Sequence, residues 1–243
     1  MGDPGGLAER LERIRERIAA AEARAGRAPG SVRLLAVSKG FPASAVRDAM
    51  SLGLREFGEN RVQEADSKIP DVGAGPRWHL IGHLQRNKAK RAVALFDEIH
   101  SLDGDAIVDE VGARAAAAGK VLVAYVEVNT SGDPGKYGVA PEGALALLER
   151  ARRHAALRLA GLMTIGPLHG GAEGARASFR ALARLRDEAA GAGLLPRDAG
   201  LSMGMTDDFE IAIEEGATVV RLGSALFGLR AAGPAAAPDA PAA

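Results

Sequence analysis

From Leu7 onward the apolar residues Leu7, Leu11, Ile14 and Ile18 recur at spacings of four, three and four, while Glu9, Arg10, Glu12, Arg13, Glu16 and Arg17 occupy the other face. This pattern predicts an amphipathic helix with one stripe turned to a core. After Ala28-Pro29-Gly30 it gives way to short apolar runs alternating with helical periodicities. Eight runs read as strands, near residues 33–37, 55–57, 78–81, 97–100, 121–127, 158–163, 199–202 and 218–222. Between them lie helical patterns such as Ala43 to Leu52, Asp105 to Ala118, Pro141 to Arg153 and Ala172 to Ala192. Repeated strand and helix alternation predicts a parallel sheet, and eight units predict closure into an α/β, TIM-type (β/α)8 barrel with an additional N-terminal helix. Arg55-Glu56-Phe57 and Leu201-Ser202 carry the weakest strand signals. The expected organisation is a helix and linker over residues 1–30, one barrel domain over 31–230, and a tail over 231–243. That tail, rich in Ala and Pro, cannot bury a core face and is expected to be disordered.

A chain of 243 residues suits a single α/β barrel. Thirty-one basic residues balance thirty-one acidic ones, so no net field draws the protein to nucleic acid or to an anionic membrane. Cysteine is absent, which excludes disulfides, thiolate metal sites and a cysteine nucleophile and fits a reducing cytoplasm. The N-terminal residues lead into a charged helix without a secretory apolar region, and no stretch reaches the length of a membrane span. The expected location is the cytoplasm.

Lys39 ends the run Arg33-Leu-Leu-Ala-Val-Ser38, a buried parallel strand in this reading, and Gly40-Phe41-Pro42 breaks the strand behind it. Desolvation at a barrel strand end favours the neutral, nucleophilic amine, which forms an imine with an aldehyde; pyridoxal phosphate is the obvious one. Two turns near the C-terminus suit an anion. In Leu201-Ser-Met-Gly204-Met205-Thr206 a strand ends, Gly204 permits a sharp bend, and Thr206 is placed to cap the following helix. In Val219-Val-Arg221-Leu-Gly223-Ser224 a strand meets a glycine and then a hydroxyl. They fall after the seventh and eighth strands, where TIM barrels often bind phosphate. Asp207 and Asp208 would repel a phosphate unless turned outward to serve their own helix. An Arg221 pointing into the barrel mouth would face a pyridine nitrogen and disfavour its protonation, which weakens the ring as an electron sink.

These residues, with several further segments, resemble the YggS/PROSC family, the pyridoxal phosphate homeostasis proteins, whose barrel is shared with the N-terminal domain of alanine racemase. The resemblance runs from about Leu34 to Gly228. It rests on Ala36-Val-Ser-Lys39, Phe57-Gly-Glu-Asn60-Arg-Val-Gln-Glu64, Trp78-His-Leu-Ile-Gly-His83-Leu-Gln85 with Asn87-Lys88, and His100-Ser-Leu-Asp103. Gly161-Leu-Met163-Thr-Ile165, Ser202-Met-Gly-Met-Thr-Asp-Asp-Phe209 and Arg221-Leu-Gly-Ser-Ala-Leu-Phe-Gly228 complete it. It implies that Lys39 is the Schiff-base lysine. Ser202 and Ser224, with the amides around Gly204, Met205 and Gly223, would hold phosphate, Arg221 would face the pyridine nitrogen, and Asn60, His83 and Met163 would wall the pocket. Thr206 and Ser224 stand where the family uses Ser or Thr, and Tyr137 replaces a smaller residue. The implied function is that of a monomer, not an enzyme, that buffers pyridoxal 5'-phosphate or delivers it to pyridoxal phosphate-dependent apoenzymes.

The alternative is a pyridoxal phosphate-dependent amino-acid racemase or related enzyme. Two-base racemisation needs a proton donor on the opposite face of the cofactor, which alanine racemases bring as a tyrosine from a further C-terminal domain. No such domain is expected here; the tyrosines are Tyr125, in an apolar strand, and Tyr137, in a glycine-rich loop. Arg86, Lys88, Lys90 and Arg91 read as a solvated helix face, not an RNA patch. Gly132-Asp-Pro-Gly135-Lys136 lacks P-loop spacing. His79 and His83 lie four apart on a strand-to-turn segment, unlike a helical zinc pair, and no metal site is expected.

Overall fold

The computed structural model describes residues 6–228, and the tail expected over 231–243 lies outside them. Strands β1 (Arg33–Val37), β2 (Glu56–Glu59), β3 (Arg77–Leu80), β4 (Glu98–Leu102), β5 (Leu122–Glu127), β6 (Leu157–Met163), β7 (Gly200–Ser202) and β8 (Val219–Leu222) pair in chain order, and β8 closes onto β1. All pairings are parallel. Helix α1 (Leu7–Arg24) precedes the barrel; α2 (Ala43–Ser51), α3 (Val62–Val72), α4 (Ala89–Leu95), α5 (Asp105–Ala117), α6 (Ala144–Arg152), α7 (Gly171–Gly191), α8 (Phe209–Glu214) and α9 (Ser224–Phe227) follow successive strands. This is the TIM-type (β/α)8 barrel. Among the described residues no helix is long and apolar enough to cross a membrane.

The period of two along each strand sorts side chains between two cores. Ala36, Phe57, Leu80, Ile99, Ala124, Leu201 and Val220 join the large apolar layer between strands and helices. The alternate positions form smaller clusters inside the barrel, Leu35, Val37, Ile81 and Val219 on one side and Val123, Tyr125 and Met163 on another. The strand expected over 55–57 extends to Glu59, a residue that hides the strand end from a hydropathy reading. Pro141 begins a 3-10 turn, and the α-helix proper starts at Ala144. Between β6 and β7 the backbones approach so closely that a Cβ on Gly161 would lie 1.9 Å from the Gly200 carbonyl oxygen, so only glycine fits.

Helix α1 buries Leu11, Ile14, Ile18 and Ala21, the stripe its periodicity predicts and one turn beyond. It lies on the last units of the barrel: Arg17 pairs with Glu210 at 2.8 and 2.9 Å and stacks 4.5 Å from the Phe209 ring centre, and Arg10 Nε donates to the Leu226 carbonyl at 2.7 Å. Buried Glu22 accepts from the Val32 amide at 2.8 Å, the Gly30 amide at 3.0 Å and the Ser31 hydroxyl at 3.1 Å, which fixes the entry into β1.

Candidate functional site

A cavity of about 380 Å³ opens at the C-terminal ends of the strands. Of the residues expected at the site, Lys39, Asn60, Met205, Arg221, Gly223 and Ser224 all line it, although they come from units at both ends of the chain. Closing β8 onto β1, with Leu35 opposite Arg221 and Ala36 opposite Leu222, brings Lys39 next to the loop after β8. Gly223 packs under this junction, where a Cβ would lie 3.2 Å from the Val37 carbonyl oxygen.

Thr206 also lines the cavity, and its hydroxyl lies 3.2 Å from that of Ser224. It does not cap a helix as the sequence suggested: Asp208 holds the N-cap position of α8. The Asp208 carboxylate instead closes its own loop, accepting from the Met205 amide at 2.6 Å, so that amide is turned to Asp208. Burial raises the Asp208 carboxyl above the ordinary range, with the Met205 amide and Arg221 opposing. Asp207, in contrast, stays at the cavity wall rather than turning away. Gly204 has φ +92°, and a Cβ there would sit 2.5 Å from the Ala212 side chain, so this bend requires glycine twice over.

The backbone on either side of Lys39 is clamped. Buried Lys68 of α3 donates to the Ser38 carbonyl at 2.8 Å, to Glu59 at 2.6 Å and to Glu64 at 2.7 Å. Glu59 also accepts from the Ser38 hydroxyl at 2.7 Å, and Glu64 from the Gly40 amide at 2.6 Å. Burial raises the Glu59 carboxyl, with Lys68 opposing. Sequence reasoning missed this cluster; the spacing of four between Glu64 and Lys68 is a visible helix pair, but nothing in it points to Ser38.

The family model for the N-terminal domain of alanine racemase matches residues 10–231. A pyridoxal phosphate homeostasis protein of Aquifex aeolicus is 43% identical over 230 residues, covering 91% of this chain and 97% of that one. The chain belongs to the pyridoxal phosphate homeostasis protein family. Its relative of that name in Pseudomonas aeruginosa is 44% identical over 228 residues, covering 92% and 96% of the two chains. Among solved structures, PipY of Synechococcus elongatus with pyridoxal phosphate bound superimposes with a TM-score of 0.80 at 36% identity, over 92% of this chain and all of that one. An alanine racemase of Clostridium difficile shares the fold with a TM-score of 0.72 at 14% identity, and the match covers 56% of its length.

In this family member the remaining expected residues lie outside the cavity lining. Met163 is wholly buried beside Val123 and Tyr125 inside the barrel. His83 lies in a neighbouring groove, stacked on Tyr137 at 3.8 Å and 2.8 Å from Asp103, with Asn60 shared between groove and cavity. Ser202 lies under the cavity, wholly buried: it accepts from Arg221 Nη1 at 2.9 Å and stands 2.9 Å from His100 Nδ1. Arg221 further donates through Nη2 to the Thr164 carbonyl at 2.8 Å. Burial pulls its guanidinium down to about 10, with Glu127 and Asp208 opposing, so it is cationic at neutral pH.

Glu127, at the end of β5 and 4% exposed, carries the complementary strain. Burial pushes its carboxyl up to about 7, the Asp103 charge adds to this, and Arg221 opposes it. An unfolded glutamate titrates near ~4.3. Between these values only the folded state holds the proton, so this group's contribution to stability falls as pH rises through the window. Glu127→Gln should therefore gain about 2–3 kcal/mol over the wild type between pH 5 and pH 8, measured by urea unfolding at both. A difference independent of pH would show that Glu127 is solvated in the folded protein.

Proposed function

We propose that this protein binds pyridoxal 5'-phosphate in the cavity at the barrel mouth, holds it covalently on Lys39, and buffers or delivers it in the cytoplasm as a monomer without racemase turnover. The observation that carries the reading is one cavity gathering an amine, a hydroxyl pair and a buried guanidinium. Its volume suits a small cofactor. When bound, the cofactor supplies an aldehyde that condenses with a primary amine and a ring that draws electrons from the attached group. Lys39 supplies the amine, on a strand end whose backbone Lys68 and Glu64 fix. The Thr206 and Ser224 hydroxyls donate to phosphate, while Met205 and Asn60 contribute walls. Arg221, held by Ser202 and the Thr164 carbonyl, would face the pyridine nitrogen as a cation and disfavour its protonation.

The hydroxyls separate phosphate anchoring from the other roles. Thr206→Val and Ser224→Ala should each weaken pyridoxal phosphate binding by about 1.5–3 kcal/mol, the scale of a hydrogen bond to a charged group, while unphosphorylated pyridoxal binds as before. Ser202→Ala should weaken both ligands alike, because Ser202 acts through Arg221. Fluorescence titration with the two vitamers checks this; equal losses from all three variants would remove Thr206 and Ser224 from the phosphate site.

Racemisation needs a second proton carrier across the cofactor. Among the described residues lining the cavity there is no tyrosine or histidine. Tyr125 is buried, with its hydroxyl accepting from Arg33 at 3.1 Å. The loaded protein should give negligible α-deuteration and no D-alanine from L-alanine in deuterated water, yet restore activity to a pyridoxal phosphate-dependent apoenzyme. Racemisation at roughly one per second or faster, the scale of ordinary enzymes, would replace this reading with the racemase.

A further inference from the structure

The interior of the barrel below the cavity is not apolar. His79, Glu98 and His100 are 1, 3 and 0% exposed and point inward from β3 and β4. His79 Nδ1, His100 Nε2 and Glu98 Oε2 form a triangle with sides of 3.1, 3.4 and 3.5 Å. Ligand atoms at zinc-type bond lengths around a tetrahedral ion stand about 3.3–3.5 Å apart. The outer nitrogens are already engaged: His79 Nε2 lies 2.5 Å from Glu56 Oε2 and His100 Nδ1 2.9 Å from Ser202 Oγ. Glu56, which only accepts, holds the proton on His79 Nε2 and leaves the inner Nδ1 lone pair free to coordinate, while the Ser202 hydroxyl, which accepts as well as donates, allows His100 to donate through Nδ1 and turn its Nε2 lone pair inward. The Tyr125 ring stacks on that of His100 at 4.3 Å.

Hydrogen bonding explains the triangle less completely. With neutral imidazoles, a chain can run one way from Arg221, which only donates, through Ser202, His100 and His79 to Glu56, whose carboxylate only accepts. That chain uses two corners of the triangle and leaves Glu98 Oε2 buried with no hydrogen-bond donor. The other Glu98 oxygen is taken by Arg77 at 3.1 Å, with Arg33 at 3.6 Å, so Oε2 is aimed at the histidines. Both arginines keep 43 to 49% of their side chains exposed, so solvent screens their charge from the buried triangle.

We propose that His79, His100 and Glu98 form a binding site for one divalent transition-metal ion of the zinc type, with water in the fourth position. The ion ties β3 to β4 inside the barrel and, through His100 and Ser202, braces Arg221 from below. This site is independent of the reading of the cavity above it.

The test uses the untagged chain, stripped by chelator and titrated with Co2+ as a spectroscopic probe, followed by displacement with Zn2+. One Co2+ per chain with the visible absorption of tetrahedral cobalt is expected, unchanged in Lys39→Ala, which separates it from the cofactor cavity. Glu56→Gln should weaken binding about 10–100-fold, the usual cost of losing an outer partner, and Glu98→Gln should weaken it more. Nitrogen-15 NMR of the unmutated protein gives a reading that does not depend on the variants folding: Zn2+ should shift His79 Nδ1 and His100 Nε2 together. No tetrahedral absorption, no shift of those nitrogens, or a cobalt spectrum unaffected by Glu98→Gln, as for ions on His83 with Asp103 or His154 with Asp109, would overturn the proposal.

Discussion

Borohydride treatment of the pyridoxal phosphate-loaded protein should bleach its visible absorption and fix the cofactor to the peptide carrying Lys39. Lys39→Ala should show neither effect. The expectation rests on placement: Lys39 lies two residues past the end of β1 and lines the same cavity as Thr206, Arg221 and Ser224. Lys68, bound to Glu59 and Ser38, Lys120, bound to the carbonyls of Val93 and Phe96, and Lys136, bound to the Gly166 carbonyl, lie outside the cavity lining. Peptide mass mapping decides the matter. Label found mainly on Lys88, Lys120 or Lys136 would remove Lys39 from the role and with it the meaning of the cavity.

Lys68→Met should destabilise the fold by about 3–5 kcal/mol, the cost of removing one member of a buried ion pair and leaving the other charged. Lys68 and Glu59 are both nearly inaccessible, 5% and 0% exposed in their side chains, so solvent screening offers little relief. Glu59 lies outside the barrel wall, against α3, and its second oxygen already lacks a hydrogen-bond partner. The double variant Lys68→Met with Glu59→Leu should recover much of the loss, because exchanging a whole buried pair for apolar groups is often neutral. It should still label poorly at Lys39, since Ser38 loses the Lys68 and Glu59 contacts that hold the strand end. Denaturant midpoints of the three proteins, read beside their borohydride labelling, check both halves. A loss under about 1 kcal/mol for the single variant would mean that water reaches Glu59.

The barrel was legible because it rests on local periodicities. Apolar runs such as Leu122 to Val126 and the stripe of Leu11, Ile14 and Ile18 need one face or two to be hidden whatever lies opposite, so hydropathy alone marks them. Lys39, Gly204, Arg221 and Gly223 stood out for a similar reason: an amine at the end of an apolar run, or a glycine where a strand must bend, is conspicuous in its own neighbourhood. The resemblance to the pyridoxal phosphate homeostasis proteins then joined these segments in order along the chain.

What the sequence could not show depends on distance through space. Hydropathy places a serine or threonine equally well at a cap, under a pocket or in its wall. Only the closure of β8 onto β1 and the carboxylate of Asp208 taking the Met205 amide put Thr206 beside Ser224 and set Ser202 beneath, against Arg221 and His100. The same holds for polar residues that a periodicity reading treats as interruptions. Glu59 marks a strand end only because Lys68 arrives from α3, and the sequence sets His79 four residues from His83, while the tertiary structure sets it 3.1 Å from His100 on the adjacent strand. Burial of apolar surface is nearly independent of partner and so can be read one residue at a time. A buried polar group is tolerable only with a partner of the right charge and direction, and that partner is chosen by the fold.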